Sequence, residues 1–151
     1  MKIYVTNRQK CLKIFLKQVR HLAKGFLNWK KVKCHEVSIH FIDKESITQL
    51  HEKYFKDPTP TDCISFPIDS PQKEQQGYSI LGEIFVCPQV AMEYVKKKGG
   101  NVYWEVSLYI VHGLLHLLGY DDQEPKNRSL MFAEQQVAML YLEKNRSLLH
   151  K

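Results

Sequence analysis

Residues 102–122 read VYWEVSLYIVHGLLHLLGYDD, and this stretch decides the fold. Its apolar part is long enough for a buried helix, and Gly119 predicts where that helix ends because glycine adopts backbone conformations that other residues resist. His112 and His116 are four residues apart, so their side chains lie on the same face of the helix, about 6 Å apart along its axis. The two imidazoles can therefore converge on one ion.

The residues after this helix complete a candidate metal site. A turn at Gly119 can bring Asp122 to the same point as a third ligand, which leaves a fourth position open, as in catalytic zinc sites. Asp121 is the alternative third ligand, or a hydrogen-bond partner of a ligand histidine. A buried helix whose histidines merely fall four apart is the other reading, but two polar rings in an apolar segment need partners to offset their desolvation. We therefore predict a metal site at His112, His116 and Asp122.

The composition is that of an ordinary globular protein. The chain has 151 residues, of which 44% are hydrophobic and 11% aromatic, which fits one domain spanning residues 1–151 with its own core. No apolar run approaches the roughly 18 residues of a membrane-spanning helix, and residues 2–5 are typical of a strand and not of a signal peptide. We expect a cytoplasmic protein without membrane contact.

The cysteines indicate neither a sulfur-rich zinc site nor a redox motif. They are widely spaced, without a Cys-x-x-Cys pair, at Cys11, Cys34, Cys63 and Cys87. We expect reduced, mostly buried thiols.

The order of predicted elements favours an α+β protein with a small mixed β-sheet covered by helices. Strands are predicted at residues 2–5, 37–42, 63–66 and 80–86, and Pro67 suggests that the third strand lies at a sheet edge. Asp43 is a candidate N-cap, Pro88 and Pro125 open later helices, and the polar residues 68–78 predict a flexible loop. The predicted packed face of the last helix consists of Leu130, Ala133, Val137, Leu140 and Tyr141.

Positive charge is concentrated at the N-terminus. Residues 1–35 hold ten Lys or Arg and no Asp or Glu, so the whole excess behind the net charge of +6 lies there. Like charges along one helix face repel, and a polyanion such as nucleic acid would relieve that repulsion. A solvated face is the alternative, and an anionic membrane is disfavoured because the opposite apolar face is committed to the core. The predicted nucleic-acid-binding stripe, spaced 3, 4, 3 and 4 along a helix, is Lys10, Lys13, Lys17, Arg20 and Lys24.

Position 113 separates two kinds of metal-dependent hydrolysis. A zinc ion polarises a carbonyl or phosphoryl oxygen and lowers the pKa of its water, which serves peptide and phosphodiester hydrolysis equally. Zinc proteases of the His-Glu-x-x-His type carry their general base directly after the first histidine, where this chain has Gly113. Together with the basic stripe, this favours RNA or DNA as the substrate.

Three motifs at consistent separations resemble one family. They are Thr61-Asp-Cys-Ile-Ser-Phe-Pro67, Leu81-Gly-Glu-Ile84 and His112-Gly-Leu-Leu-His-Leu-Leu-Gly-Tyr-Asp121. Over nearly the whole chain they resemble the YbeY family of metal-dependent endoribonucleases. The resemblance implies a zincin-like fold with the metal site on a helix and its following turn. It also implies one zinc ion per chain, held at the positions of His112, His116 and residue 122.

The same resemblance implies a bacterial, cytoplasmic endoribonuclease that is specific for single-stranded RNA. Its role would be ribosomal RNA processing, above all maturation of the 3′ end of 16S rRNA in the small ribosomal subunit, and ribosome quality control. A ribosomal protein and an assembly GTPase are further partners that the resemblance implies.

The chain departs from the family pattern at two positions. Asp122 stands where the family has histidine, and its negative charge should make the metal less electrophilic and move the activity optimum to higher pH. Phe55 stands where similar proteins place an arginine suited to a scissile phosphate. Lys56 or Lys53 would then supply the cation, as a point charge instead of a bidentate fork.

These departures leave two other functions open. One is an RNA-binding ribosome-assembly factor whose metal is structural and which has little catalytic activity. The other is a zinc protease, which Gly113 disfavours.

Overall fold

Strands and helices mix irregularly along the chain, which confirms the expected α+β class. The computed structural model describes residues 1–71 and 77–151, so the middle of the predicted loop, residues 72–76, lies outside the described residues. Within the described part of the chain, no helix is both long and apolar enough to cross a bilayer. The elements are β1 (Lys2–Asn7), α1 (Leu16–Trp29), β2 (Glu36–Phe41), α2 (Lys44–Phe55), β3 (Cys63–Pro67), β4 (Ile80–Val86), α3 (Pro88–Lys98), α4 (Val102–Leu117) and α5 (Pro125–Lys144).

The strands form a mixed sheet in the order β1-β2-β4-β3. Strands β1, β2 and β4 are parallel, and β3 pairs antiparallel with β4 at one edge. Val5 lies opposite Ile39, and Ile39 lies opposite Ile84, so these three buried side chains line one face of the sheet. The edge position of β3 tolerates Pro67, because proline has no N–H to donate to a neighbouring strand.

Helix α4 packs against this sheet and is buried on nearly every side. It contacts β3 and β4 and is flanked by α1, α3 and α5. Ile110 and Leu114 are fully buried, and each such side chain contributes roughly 2 kcal/mol by leaving water. Asn101 caps the start of the helix, where its Oδ1 accepts from the Tyr103 N–H at 2.8 Å. The core thus fixes the helix that carries the two histidines.

Helix α1 begins at Leu16, later than the predicted basic stripe requires. The Gln9 side chain explains the late start, because its amide donates to Asn7 Oδ1 and to the Leu12 carbonyl, both at 2.8 Å. Its Oε1 also accepts from the Leu12 N–H at 3.0 Å. These bonds offer the backbone an alternative to the helix. The prediction of one continuous helical stripe is therefore wrong: Lys17, Arg20 and Lys24 are exposed on α1, whereas Lys10 and Lys13 precede it.

Helix α5 packs through a different face from the predicted one. Leu130 and Leu140 are 57% and 66% exposed, and Ala133 and Val137 are exposed as well. Only Tyr141 of the predicted set packs inward, with its ring stacked on that of Trp29 at 5.2 Å. Apolar residues occupy several sides of this helix, so their spacing does not identify the packed side. The buried residues are Met131, Ala138, Met139 and Leu142.

Helix α2 begins directly after Asp43, as predicted. Asp43 is the N-cap, and its Oδ1 accepts from the Ser46 N–H at 2.8 Å. The helix packs beside β3, where Ile47 and Ile64 share a small buried cluster. It ends at Phe55. Its C-terminal end lies near β3, since the ring centroid of Tyr54 is 5.0 Å from that of Phe66.

The cysteines are free thiols, as expected. Cys87 is buried, Cys34 and Cys63 are partly buried, and Cys11 is exposed. Three of the four are thus at least partly buried, and only Cys11 departs from the expectation of mostly buried thiols.

Candidate metal centre

The side chains of His112, His116 and Asp122 meet at the C-terminal end of α4. Nε2 of His112 lies 3.1 Å from Nε2 of His116, and Oδ2 of Asp122 lies 3.5 and 3.6 Å from these two nitrogen atoms. Ligand atoms about 2.0–2.1 Å from a tetrahedral zinc ion are about 3.4 Å apart. The three atoms therefore fit a single ion. Among residues 1–71 and 77–151, no second group of three such side chains could hold a metal.

The turn after α4 carries Asp122 back to the histidines. Gly119 has a φ of 101°, in the left-handed region that glycine adopts without strain. The Gly119 N–H donates to the His116 carbonyl at 3.0 Å, and the Tyr120 N–H donates to the Leu115 carbonyl at 3.1 Å. These bonds close the end of the helix and reverse the chain. The turn predicted from Gly119 is thus present.

Hydrogen bonds determine which nitrogen of each histidine faces Asp122. Nδ1 of His116 lies 3.0 Å from the Tyr120 carbonyl oxygen, which only accepts, so this Nδ1 carries a proton and donates it. Nδ1 of His112 donates in the same way to Oε1 of Gln135 at 2.9 Å. Both Nε2 lone pairs are then available to a metal ion, which is the arrangement typical of histidine ligands.

The sequence alone suggests Asp121, and not Gln135, as a candidate hydrogen-bond partner of a ligand histidine. Gln135 lies on α5, 23 residues after His112, and only the packing of α5 on α4 brings the two together. Asp121 instead accepts from the Gln123 N–H at 3.0 Å and lies outside the three-residue group. The prediction that Asp121 orients a ligand histidine is therefore wrong.

Lys30 stabilises the turn after α4 through side-chain hydrogen bonds. Its Nζ donates to Oε1 of Glu134 and, at 3.0 Å, to the hydroxyl of Tyr120. Burial alone would lower the pKa of Lys30, but its hydrogen bonds to Glu134 and Tyr120 raise that pKa above its ordinary value. Lys30 is therefore charged at neutral pH. Its hydrogen bonds connect the end of α1 to the turn that carries Asp122 and to α5.

The three metal-facing side chains open into a cavity of about 390 Å³. This lies within the range of about 300–1,000 Å³ that small-molecule sites occupy. The described residues that line it include three carboxylates, Asp62, Asp121 and Asp122, and neither lysine nor arginine. Without an ion the cavity would therefore repel a phosphate group, and a divalent cation would offset its negative charge.

Gly113 brings α4 unusually close to the sheet. A Cβ atom at this position would lie 2.8 Å from Sγ of Cys63, closer than real contacts, and 3.1 Å from Cγ2 of Ile84, tighter than most real contacts. The Ser65 hydroxyl donates to the Gly113 carbonyl at 3.1 Å, so Ser65 joins β3 to α4 and gives its proton to a backbone oxygen instead of a base. Burial raises the pKa of the Cys63 thiol far above its ordinary value. Neither side chain is a candidate nucleophile.

Other predicted site residues lie at varying positions relative to this cavity. Phe55, the last residue of α2, lines the cavity. The next residue, Lys56, is the C-cap of the helix and has a φ of 56°. Lys56 itself is exposed and is not among the described lining residues. The basic residues of the N-terminal segment do not line the cavity either: Lys10, Lys13, Lys17, Arg20 and Lys24.

The sequence match extends well beyond the metal-binding residues. Residues 4–143 match the family model described as Endoribonuclease YbeY. This chain belongs to the YbeY endoribonuclease family. Among its relatives is a YbeY endoribonuclease of Protochlamydia amoebophila, 46% identical over 143 residues, which cover 94% of this chain and 93% of the relative. A YbeY endoribonuclease of Chlamydia trachomatis is 37% identical over 97% of this chain and 91% of its own length.

A solved structure shares the fold of this YbeY-family chain. The solution structure of a Thermotoga maritima protein superimposes with a TM-score of 0.65 and covers 97% of this chain and 93% of its own, at 24% sequence identity. This likeness concerns the fold alone. With family membership, it confirms the expected zincin-like α+β fold in which a helix and its following turn carry the candidate metal ligands.

Proposed function

We propose that this YbeY-family protein is a zinc-dependent endoribonuclease that cleaves single-stranded ribosomal RNA. The observation that carries the proposal is the convergence of two Nε2 atoms and one carboxylate oxygen, all within 4.8 Å of one another, in a cavity of an endoribonuclease-family chain. Residues 1–151 would act as one domain. Its substrate places the activity in the cytoplasm, where bacteria process ribosomal RNA.

The donor set favours zinc as the ion. Two imidazole nitrogens and one carboxylate are typical ligands of catalytic zinc, whereas magnesium and calcium prefer sites built from oxygen atoms. One ion per chain is expected, held by His112, His116 and Asp122.

The side chains around the ion have separable tasks. When bound, zinc would supply Lewis acidity to the phosphodiester and lower the pKa of water at the site. Oε1 of Gln135 and the Tyr120 carbonyl keep the rings of His112 and His116 from rotating. Asp122 adds a negative charge where the family pattern has a neutral imidazole. We therefore expect an activity optimum at higher pH than in relatives with a third histidine.

Positive side chains outside the cavity would hold the RNA that flanks the cleavage site. Each phosphate that they neutralise releases counterions, so binding should weaken as salt concentration rises. Lys56 is the proposed contact to the scissile phosphate because it follows the cavity residue Phe55 directly and is exposed. The flanking contacts proposed are Lys10, Lys13, Lys17, Arg20 and Lys24.

The biological role follows from the family resemblance. We place the protein in maturation of the 3′ end of 16S rRNA and in ribosome quality control, acting on the small ribosomal subunit. A ribosomal protein and an assembly GTPase are the proposed recruiting partners. The excess of basic residues in the first 35 positions is compatible with docking to an RNA-rich particle.

A ribosome-assembly factor with a structural metal is the second candidate. It is favoured by the absence of lysine and arginine among the described lining residues of the cavity, since a nuclease site usually provides a cation for the phosphate. A protein of this kind would bind RNA in a salt-sensitive manner without cutting it.

One experiment separates these functions and a zinc protease. Purified protein with a defined zinc content is incubated with single-stranded RNA, duplex RNA and casein, beside a His116→Ala variant. Cleavage of single-stranded RNA alone, lost on chelation and in the variant, is the expected result. Salt-sensitive binding without cleavage would instead support the assembly factor, and cleavage of casein would support the protease.

A further inference from the structure

Two aromatic side chains are exposed where α2 ends beside the cavity. Tyr54 is 55% exposed and Phe55 is 54% exposed. Phe55 lines the same cavity as His112, His116 and Asp122. An apolar ring thus shares a small space with the metal-facing groups.

The position of Phe55 is fixed by its surroundings. Its ring centroid lies 5.8 Å from that of His51 and 6.5 Å from that of Phe66 on β3. Nδ1 of His51 donates to the Thr59 carbonyl at 2.7 Å, and the Lys56 N–H donates to the Glu52 carbonyl at 3.0 Å. These contacts hold the end of α2 in one conformation. Phe55 is therefore a preorganised surface, which lowers the entropy cost of binding a ligand.

The charge of the cavity indicates which part of an RNA can contact this surface. Asp62, Asp121 and Asp122 line the cavity, and its described lining residues provide no lysine or arginine. Apart from the ion, the described lining provides no lysine or arginine charge that would attract a phosphate. A nucleobase, in contrast, is uncharged and has a flat face that stacks on aromatic rings.

We propose that Phe55 stacks on an unpaired base of the RNA next to the scissile phosphate. The proposal rests on the proposed function, because it assumes an RNA substrate at the metal centre. Bases within a duplex have both faces covered by their neighbours, so a stacking residue at the rim selects single-stranded RNA. Every base has such a face, so the contact tolerates any sequence.

Binding of RNA without cleavage tests the proposal. The zinc-loaded parent protein is compared with its Phe55→Ala, Phe55→Leu and Phe55→Trp variants by the Kd of a short labelled single-stranded RNA made of nuclease-resistant 2′-O-methyl nucleotides. The first two should raise the Kd about tenfold, since removal of one stacking ring typically costs a factor of this order or more. Phe55→Trp should keep the wild-type Kd. Phe132 on α5 is 60% exposed outside the cavity, so Phe132→Ala is the matched control and should change nothing.

Two further measurements separate stacking from a general loss of packing. The slope of log Kd against log salt should stay the same in Phe55→Ala, because the ring neutralises no phosphate. In a series of RNAs that each lack one base, the ratio of the Kd of Phe55→Ala to that of the parent should fall to about one when the stacked base is missing. A thermal melt of each variant verifies folding.

The outcomes distinguish failure of this proposal from failure of the proposed function. If Phe55→Leu binds as tightly as the parent, or the ratio is the same for every abasic RNA, stacking is overturned even where the zinc-loaded protein cleaves RNA. If the parent binds RNA through Phe55 but the zinc-loaded wild type cleaves nothing, the endoribonuclease proposal fails and stacking stands. A wild type that neither binds nor cleaves RNA overturns both.

Discussion

Replacing Gln135 by leucine should weaken zinc binding without disturbing the ligands themselves. The bond from His112 Nδ1 to Gln135 Oε1 is 2.9 Å long, and leucine keeps the side-chain volume but cannot accept it. Loss of such a partner typically costs about 10–100-fold in metal affinity. His116 keeps its partner, since the Tyr120 carbonyl belongs to the backbone. We therefore expect the lower end of this range, about tenfold or about 1.4 kcal/mol.

Competition with a chromophoric zinc chelator measures the Kd directly. Gln136→Leu is the matched control because Gln136 is the next residue of α5 and is exposed, so its Kd for zinc should equal that of the wild type. Gln135→Glu should tighten binding, because a carboxylate accepts the same hydrogen bond and adds negative charge near the ion. If Gln135→Leu binds zinc as tightly as Gln136→Leu, the inferred orientation of His112 is wrong.

Three further predictions concern Asp122, Lys56 and Asp43. Metal analysis should show that Asp122→Ala loses zinc and Asp122→His retains it. The activity of the histidine variant should peak at lower pH, because a neutral ligand leaves the ion more electrophilic. Full zinc occupancy in Asp122→Ala would exclude Asp122 as a ligand. Lys56→Ala should reduce the rate of RNA cleavage and lower the salt slope of binding by about one, and an unchanged rate would show that Lys56 does not contact the scissile phosphate. Urea denaturation should show that Asp43→Ala lowers the free energy of unfolding by about 1 kcal/mol at neutral pH, the usual loss for an N-cap. Hydrogen bonds from the Ser46 N–H and hydroxyl lower the pKa of Asp43 in the folded protein. The stabilisation is therefore complete above the ordinary carboxyl pKa of about 3.9 and is lost as the pH falls through the lower pKa of the folded state. A difference in unfolding free energy from wild type that stays constant down to pH 2 would contradict this cap.

Local spacing explains why the sequence predicted the centre of the site. His112 and His116 are brought together by one turn of a helix, and Gly119 ends that helix by its own backbone preference. The cap at Asp43 is equally local, since its partner lies three residues away. Interactions of this range involve residues that are close in sequence, so their spacing alone predicts them.

Contacts between distant segments explain what the sequence could not predict. Gln135 reaches His112 from another helix, and Lys30 reaches Tyr120 across 90 residues. The late start of α1 depends on the amide of Gln9, which forms hydrogen bonds within a loop that no periodicity describes. On α5, apolar residues such as Leu130 and Leu140 face outward, so the apolar spacing pointed to the wrong side.

The close approach at Gly113 also limits how this chain can evolve or be redesigned. A peptidase would need a glutamate there as its base, yet even the first carbon of that side chain would collide with Cys63 on β3 and Ile84 on β4. A larger residue at position 113 would therefore need smaller side chains in place of Cys63 and Ile84. Each of those replacements would leave a cavity in the core. Gly113→Glu alone is therefore expected to destabilise the fold. The packing of α4 against β3 and β4, and not the metal ligands, is the obstacle to this substitution.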